Sequence, residues 1–386
     1  MDSTLKKANL PSQSATTELE SHVSKRLISL DVMRGITIVG MIIVNTPGTW
    51  AHVYPPLLHA DWHGITPTDL VFPLFLFMVG IAITLAFSKR VKAGASKTDL
   101  MKKVSKRAII IFVLGLFLWL FPTFDFSNIR IPGVLQRIAL VYFFCSLLFL
   151  NAPSWKAQAT WGATFLVIYW ILMTMVPVPG YGEPLLEPGK NLAAWLDSLL
   201  IPGTMWQGTW DPEGILSTLP SIVTGITGIL AGYLILSSLT AERKIIWTMV
   251  IGTLSLVVGY LWGLEFPINK NLWTSSYVLV SSGMAFLLLG TLYWFIDVLN
   301  YKKWTPFFVA FGSNAITAYV IHGVFADIMG LIMVSDEKNF RQYTYEALTH
   351  LGLGLELASF VWAILYVFLC FIPIWIMYKK HIIVKI

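Results

Sequence analysis

Charge is scarce in this sequence. Of 386 residues, only 12% are Asp, Glu, Lys or Arg, roughly half the share in a soluble globular domain. Cysteine is scarcer still: Cys145 and Cys370 both sit inside apolar runs and form no CxxC pair, which excludes a disulfide framework. The first 26 residues hold no apolar stretch of the signal-peptide kind, and no internal repeat of the inverted-repeat type is visible. What remains is apolar, 56% of the chain. A helical span takes about 20 mainly apolar residues. Ten runs answer that description: 36–50, 70–88, 108–121, 133–151, 159–176, 214–236, 245–263, 276–297, 306–333 and 356–378. The expected fold is an all-α polytopic membrane protein with about ten transmembrane helices in one bundle. A cytoplasmic N-terminal tail is expected over 1–26 and a transmembrane domain over 27–386.

The cations give the expected orientation. Alternate loops carry Lys89, Arg90, Lys92, Lys97, Lys102, Lys103, Lys106 and Arg107, then Lys156, then Arg243 and Lys244, then Lys302 and Lys303, then Lys379, Lys380 and Lys385. The opposite loops hold Arg130, Lys190, Lys270, Lys338 and Arg341. Basic loops stay inside, so both termini are expected to be cytoplasmic. The net charge of +6 then calls for no nucleic-acid partner. The run 89–107 reads as an anchor for anionic lipid, and it could also attract the phosphates of an anionic ligand.

Polar residues inside spans are costly and face the bundle interior. In DVMRGITIVGMIIVN, Asp31, Arg34 and Asn45 fall near one helical face, with Asp31 and Asn45 about 21 Å apart along the axis. That stripe suits either a lined cavity or an Asp31–Arg34 pair with Asn45 at the helix end. RIPGVLQR puts Gln136 and Arg137 one turn into the fourth span. An arginine there costs about 2.5–3.5 kcal/mol on insertion scales and needs a partner; Asp31 or a phosphate are the candidates. The ninth span carries Asn314, His322 and Asp327. The outer loop 177–213 is rich in Pro and Gly, and Trp195, Trp206 and Trp210 suit either an interfacial belt or a sugar-stacking platform.

The stretch LLHADWHGITPTDLVFP (57–73) combines two histidines with a helix start. Thr66, Pro67 and Asp69 form a capping-box pattern. Pro73 removes a backbone donor and should kink the span, leaving the Asp69 carbonyl free. Capping leaves His59, Trp62 and His63 unexplained. His59 and His63 would share a face if helical, but no third ligand has metal-site spacing. Acid–base or nucleophilic imidazole chemistry is the better reading, because histidine titrates near neutral pH.

The blocks RLISLDVMRG, HADWHGITPTDLVFPLFLFMVG, RIPGVLQR, WDPEGILSTLPSI, FPINKNLW and KKHIIVKI, in this order, resemble the heparan-α-glucosaminide N-acetyltransferase family, in its bacterial branch. The resemblance implies a polytopic inner-membrane acyltransferase. It would move acetyl from cytosolic acetyl-CoA to the amine of a glucosamine-type sugar on the far side. By resemblance His59 is the active histidine, and Asn45 and Asp31 complete the catalytic candidates. Asp31 lies too far along a straight helix to orient His59, so a place on the donor path or a pair with Arg34 or Arg137 suits it better. Candidates for holding acetyl-CoA are Arg34, Arg130, Gln136, Arg137, Asn314 and His322. Candidates for the acceptor are Trp62, His63, Trp210, Asp211 and Glu213. The lysosomal sequence has Asn at the position of His63. No metal is expected; membrane lipids are expected partners, and a homodimer stays open. The alternative is an amino-sugar transporter using the same polar stripe.

Overall fold

The computed structural model describes residues 27–384; the tail expected over 1–26 lies outside the described residues, as does Lys385. Thirteen α-helices follow one another: α1 Ile28–Asn45, α2 Val71–Lys92, α3 Lys97–Leu120, α4 Val134–Asn151, α5 Trp155–Met175, α6 Leu192–Leu200, α7 Ile215–Leu236, α8 Ala241–Trp262, α9 Ser275–Leu292, α10 Pro306–Ser313, α11 Ala315–Leu331, α12 Phe340–His350 and α13 Leu355–Lys379. Among the described residues, eight helices are long and apolar enough to cross a membrane, and nine if α10 and α11 count as one broken span. Each of the ten apolar runs maps onto a helix. Two need correction. The third run is the second half of α3, whose first half carries Lys97, Lys102, Lys103, Lys106 and Arg107. The ninth run is not one span, because α10 and α11 meet at 87°.

The centre of the bundle is α1, α2 and α7, with α9, α10 and α13 packed around them. The outermost helix is α8, which turns Ile246, Trp247, Leu254, Val257 and Leu261 outward, as a lipid-facing helix must when the solvent is hydrocarbon. The N-terminus of α1 leaves backbone donors free. The carboxylate of Asp297, at the end of a π-turn that prolongs α9, accepts from Ile28 N at 3.2 Å and Ser29 N at 3.1 Å.

Two glycines let α1 and α10 touch backbone to backbone. A Cβ on Gly35 would stand 1.9 Å from the Phe308 carbonyl oxygen, and one on Gly312 1.9 Å from that of Asp31. Gly35→Ala is therefore expected to cost about 1–3 kcal/mol of stability through overpacking. Gly330→Ala, where a Cβ meets nothing within 4 Å, serves as the control. Equal thermal unfolding of the two variants in detergent would contradict the close crossing.

The break between α10 and α11 falls at Asn314. Its Nδ2 donates to Ile382 O at 3.0 Å and its Oδ1 accepts from Val384 N at 3.0 Å, tying the chain beyond α13 to the break. The Gly312 carbonyl accepts from Arg34 Nη1 at 3.1 Å. Irregular backbone at this depth is tolerated where it lines a cavity, and Gly312, Ser313 and Asn314 do line one. Asn314 and Arg34 also put the two ends of the described chain at the same end of the bundle.

Candidate functional site

The loop ahead of α2 is not helical around the histidines. His59 and His63 therefore do not share a helical face, and their rings take different partners. Asp69 is the pivot. Its Oδ2 accepts from Thr66 N at 2.9 Å and from Ala60 N at 3.1 Å, closing the capping box at the 3₁₀ turn Pro67–Leu70. Its Oδ1 is 2.6 Å from His59 Nδ1. One carboxylate thus caps the turn and orients the imidazole at once. The Asp69 side chain is 1% exposed while that of His59 is 46% exposed, so a buried acid holds an accessible ring. Pro73 produces no mid-span kink: it lies in the first turn of α2, directly after the 3₁₀ turn. The Asp69 carbonyl it frees is taken by the Tyr277 hydroxyl at 2.5 Å.

Lys270, from the FPINKNLW segment, completes the arrangement. Its Nζ lies 3.2 Å from His59 Nε2 and 3.5 Å from Nδ1. Burial pushes the Lys270 ammonium below the usual lysine range, against the opposing pull of Glu213 and Asp69. Asn45, His59, Glu213, Lys270 and Tyr319 line a cavity of about 130 Å³. With Asp69 on Nδ1, the ring nitrogen of His59 that faces Lys270 in this cavity is Nε2.

A second cavity, about 310 Å³, opens at the basic end of the bundle between Arg34, Arg90, Arg107 and the Asn314 break. Arg107 stacks over Tyr142 at 5.1 Å. Phe75, Ile138 and Ile316 line both cavities, so an apolar wall separates a cationic chamber from the histidine chamber. The positive charge of this lining suits a polyanionic ligand.

Asp31 pairs with Arg34 at 3.5 Å, one of the two partners expected for it, and the acid beside the histidine is Asp69. Several expectations need correcting. Arg137 does not reach Asp31. It is 1% exposed, donates to the Gly214 carbonyl at 2.9 Å and to Ser217 Oγ, and stacks on Trp273. Arg130 is paired with Asp211 and Glu213. Two bonds of 2.7 Å run to Asp211 and one of 2.6 Å to Glu213, between the rings of Trp119 and Trp206. Burial alone would lower the Arg130 pKa, but the two carboxylates outweigh it and raise it. Asp211 is buried beneath this pair and does not face an acceptor; burial raises its pKa, yet the bonds from Arg130 bring it below the ordinary carboxylate range. Gln136 packs against Gly115 and Gly133 and lines neither cavity. His322 is buried on α11 beside Tyr366, also away from both.

Trp62 touches both His63 and Trp210. Trp62 meets Trp210 edge to face at 5.0 Å and anchors the long loop by donating to Leu186 O at 2.8 Å. His63 Nδ1 lies 3.4 Å from Asn269 Nδ2, and burial lowers its pKa. Sequence reasoning missed Asp69 and Lys270 as partners of His59. Asp69 was already accounted for by capping. Lys270 stood in a quoted block, and its charge alone did not mark it out.

A family described as Domain of unknown function (DUF5009) matches residues 26–179. Heparan-alpha-glucosaminide N-acetyltransferase from Homo sapiens is 32% identical over 368 residues, covering 81% of this chain and 55% of its own length. The Mus musculus protein of the same name is 28% identical over 393 residues, covering 87% of this chain and 59% of its own. The chain is a distant homologue of these proteins and spans somewhat more than half their length.

Proposed function

We propose that this chain is a multi-pass membrane N-acetyltransferase that passes acetyl from acetyl-CoA to the amine of a glucosamine-type sugar, with His59 as its base. The observation that carries the reading is the Asp69–His59 pair at 2.6 Å, set in a cavity that shares a wall with a second, arginine-lined one. The relatives are named for this chemistry.

In this mechanism Arg34, Arg90 and Arg107 hold the phosphates of acetyl-CoA at the cytoplasmic face. The thioester arm passes between Phe75, Ile138 and Ile316 toward Asn45. Asp69 keeps the proton of His59 on Nδ1, and Nε2 takes a proton from the acceptor ammonium. The freed amine attacks the thioester carbonyl, the C–S bond breaks, the CoA thiolate takes the nitrogen's second proton as it leaves, and His59 returns the first to water. Direct transfer needs no covalent enzyme intermediate; a ping-pong route would put the acetyl on Nε2 first. Trp62 and Trp210 offer rings for the sugar face.

The deciding assay uses isotope-labelled acetyl-CoA and glucosamine or chitosan oligomers with purified protein in liposomes. Labelled N-acetyl product supports the reading. Amino-sugar uptake that is equal in wild type and His59→Ala, with no acetylation by either, replaces it with transport.

The orientation rests on the basic asymmetry of the loops. Ser96 starts α3 at the basic end, and Ser335 lies between α11 and α12 at the histidine end. Cysteines placed at the two positions are expected to react with an impermeant maleimide from opposite sides. Labelling of both from one side refutes this topology.

A further inference from the structure

We propose that Lys270 is a site of self-acetylation: when no acceptor is present, its side-chain amine takes the acetyl group meant for the sugar. The inference rests on the acetyl-CoA reading above and goes beyond it. The motive is position. Lys270 Nζ is a primary amine 3.2 Å from the Nε2 of His59, inside the cavity that also holds Asn45 and Glu213. A sugar amine awaiting deprotonation must stand within about 2.6–3.2 Å of that same nitrogen. Nucleophile and base are thus already arranged, and the lysine belongs to the same chemical class as the expected acceptor. Lysine ammonium is a poor nucleophile until it is desolvated or deprotonated; partial burial at the mouth of the cavity favours the neutral amine.

The step balances without any further reagent. His59 Nε2 accepts a proton from the Lys270 ammonium. The amine lone pair attacks the thioester carbonyl carbon, an N–C bond forms, and the C–S bond breaks. The thiolate of CoA leaves and takes up the second proton of the attacking nitrogen, while the proton held on His59 Nε2 passes to water. The products are N-ε-acetyl-lysine and free CoA. The amide carries no charge and is no longer a nucleophile. Its acetyl group fills the space beside Nε2 that the sugar would use, so the modified protein is self-inhibited. Bound acceptor displaces the Lys270 amine from the imidazole and protects it.

The test incubates purified full-length protein with isotope-labelled acetyl-CoA, with and without glucosamine, and follows both peptide mass and N-acetylglucosamine. The expected result is a labelled acetyl on Lys270 that accumulates without glucosamine, falls as glucosamine rises, and is lost in His59→Ala. Lys190, an exposed lysine at the same end of the bundle paired with Glu187, reports background chemistry. Labelling of Lys270 no faster than Lys190, or undiminished in His59→Ala, overturns the proposal. So does efficient acetylation of glucosamine with Lys270 unlabelled under every condition, which leaves the acetyltransferase reading intact. If neither glucosamine nor Lys270 acquires label, the acetyltransferase reading itself fails and takes this inference with it.

Discussion

His59→Ala is expected to lower acetyl transfer by about 10²–10⁴-fold, the usual loss when a general base is removed. The protein should fold normally, because the side chain is 46% exposed and truncating it opens no cavity in the core. Acetyl-CoA binding should persist, since the cationic chamber lies across the shared apolar wall. Asp69→Asn is the sharper version of the same experiment. The amide keeps the volume but offers a donor where the carboxylate accepted, so it favours the tautomer with the proton on Nε2 and removes the base. In that orientation the remaining oxygen still accepts from Thr66 N and Ala60 N; the flipped amide would lose both instead, so its stability must be measured beside its kcat. His63→Asn is expected to retain substantial activity, because that ring faces Asn269 and leaves the Asp69–His59 pair untouched. An active His59→Ala beside an inactive His63→Asn would reverse the assignment of the two imidazoles.

Arg130→Met should cost more stability than the glycine-crossing change. It strips the partner from two carboxylates whose side chains are 0% and 7% exposed. Breaking a buried ion pair from one side costs about 3–5 kcal/mol, because the remaining charge is left uncompensated. The loss should appear as a lowered thermal unfolding midpoint in detergent. Arg130→Lys should rescue little, since a lysine cannot make the forked bonds to Asp211 and Glu213 or stack between Trp119 and Trp206. Pairing the change with Asp211→Asn should recover part of the loss, a coupling that a double-mutant cycle measures directly. If Arg130→Met unfolds with the wild type, the cluster does not hold the outer loop, and Arg130 is free for the ligand role expected from its sequence block.

The membrane character of the chain was legible without coordinates. Burying an apolar run in lipid requires only length and hydropathy, which are local properties, so ten runs led to ten helical regions. Kinship was legible for a similar reason, because ordered blocks such as HADWHGITPTDL are read as strings without any packing. Two elements resisted. The run 306–333 looks continuous in composition, yet Gly312 must touch the backbone of Asp31 and Asn314 must hold the chain at Ile382 and Val384, so it breaks. Arg137 was expected to meet Asp31 or a phosphate, and its Nη2 donates instead to a backbone carbonyl and a serine while the guanidinium stacks on an indole.

The arrangement around His59 belonged wholly to the tertiary structure. Asp69 follows the histidine by ten residues, and Lys270 by 211; no helical period connects any pair of the three. A carboxylate has two oxygens, so the capping pattern that explained Asp69 locally used one and said nothing about the other. Asp31 sits on the same helix as Asn45, and periodicity put the two on one face; the length of that helix then set them at opposite ends of the bundle. Sequence period governs which residues share a face. Which faces meet across the bundle is decided by packing: the glycine crossing of α1 with α10, the ion cluster under the outer loop, and the Tyr277 hydroxyl that closes the backbone gap left by Pro73.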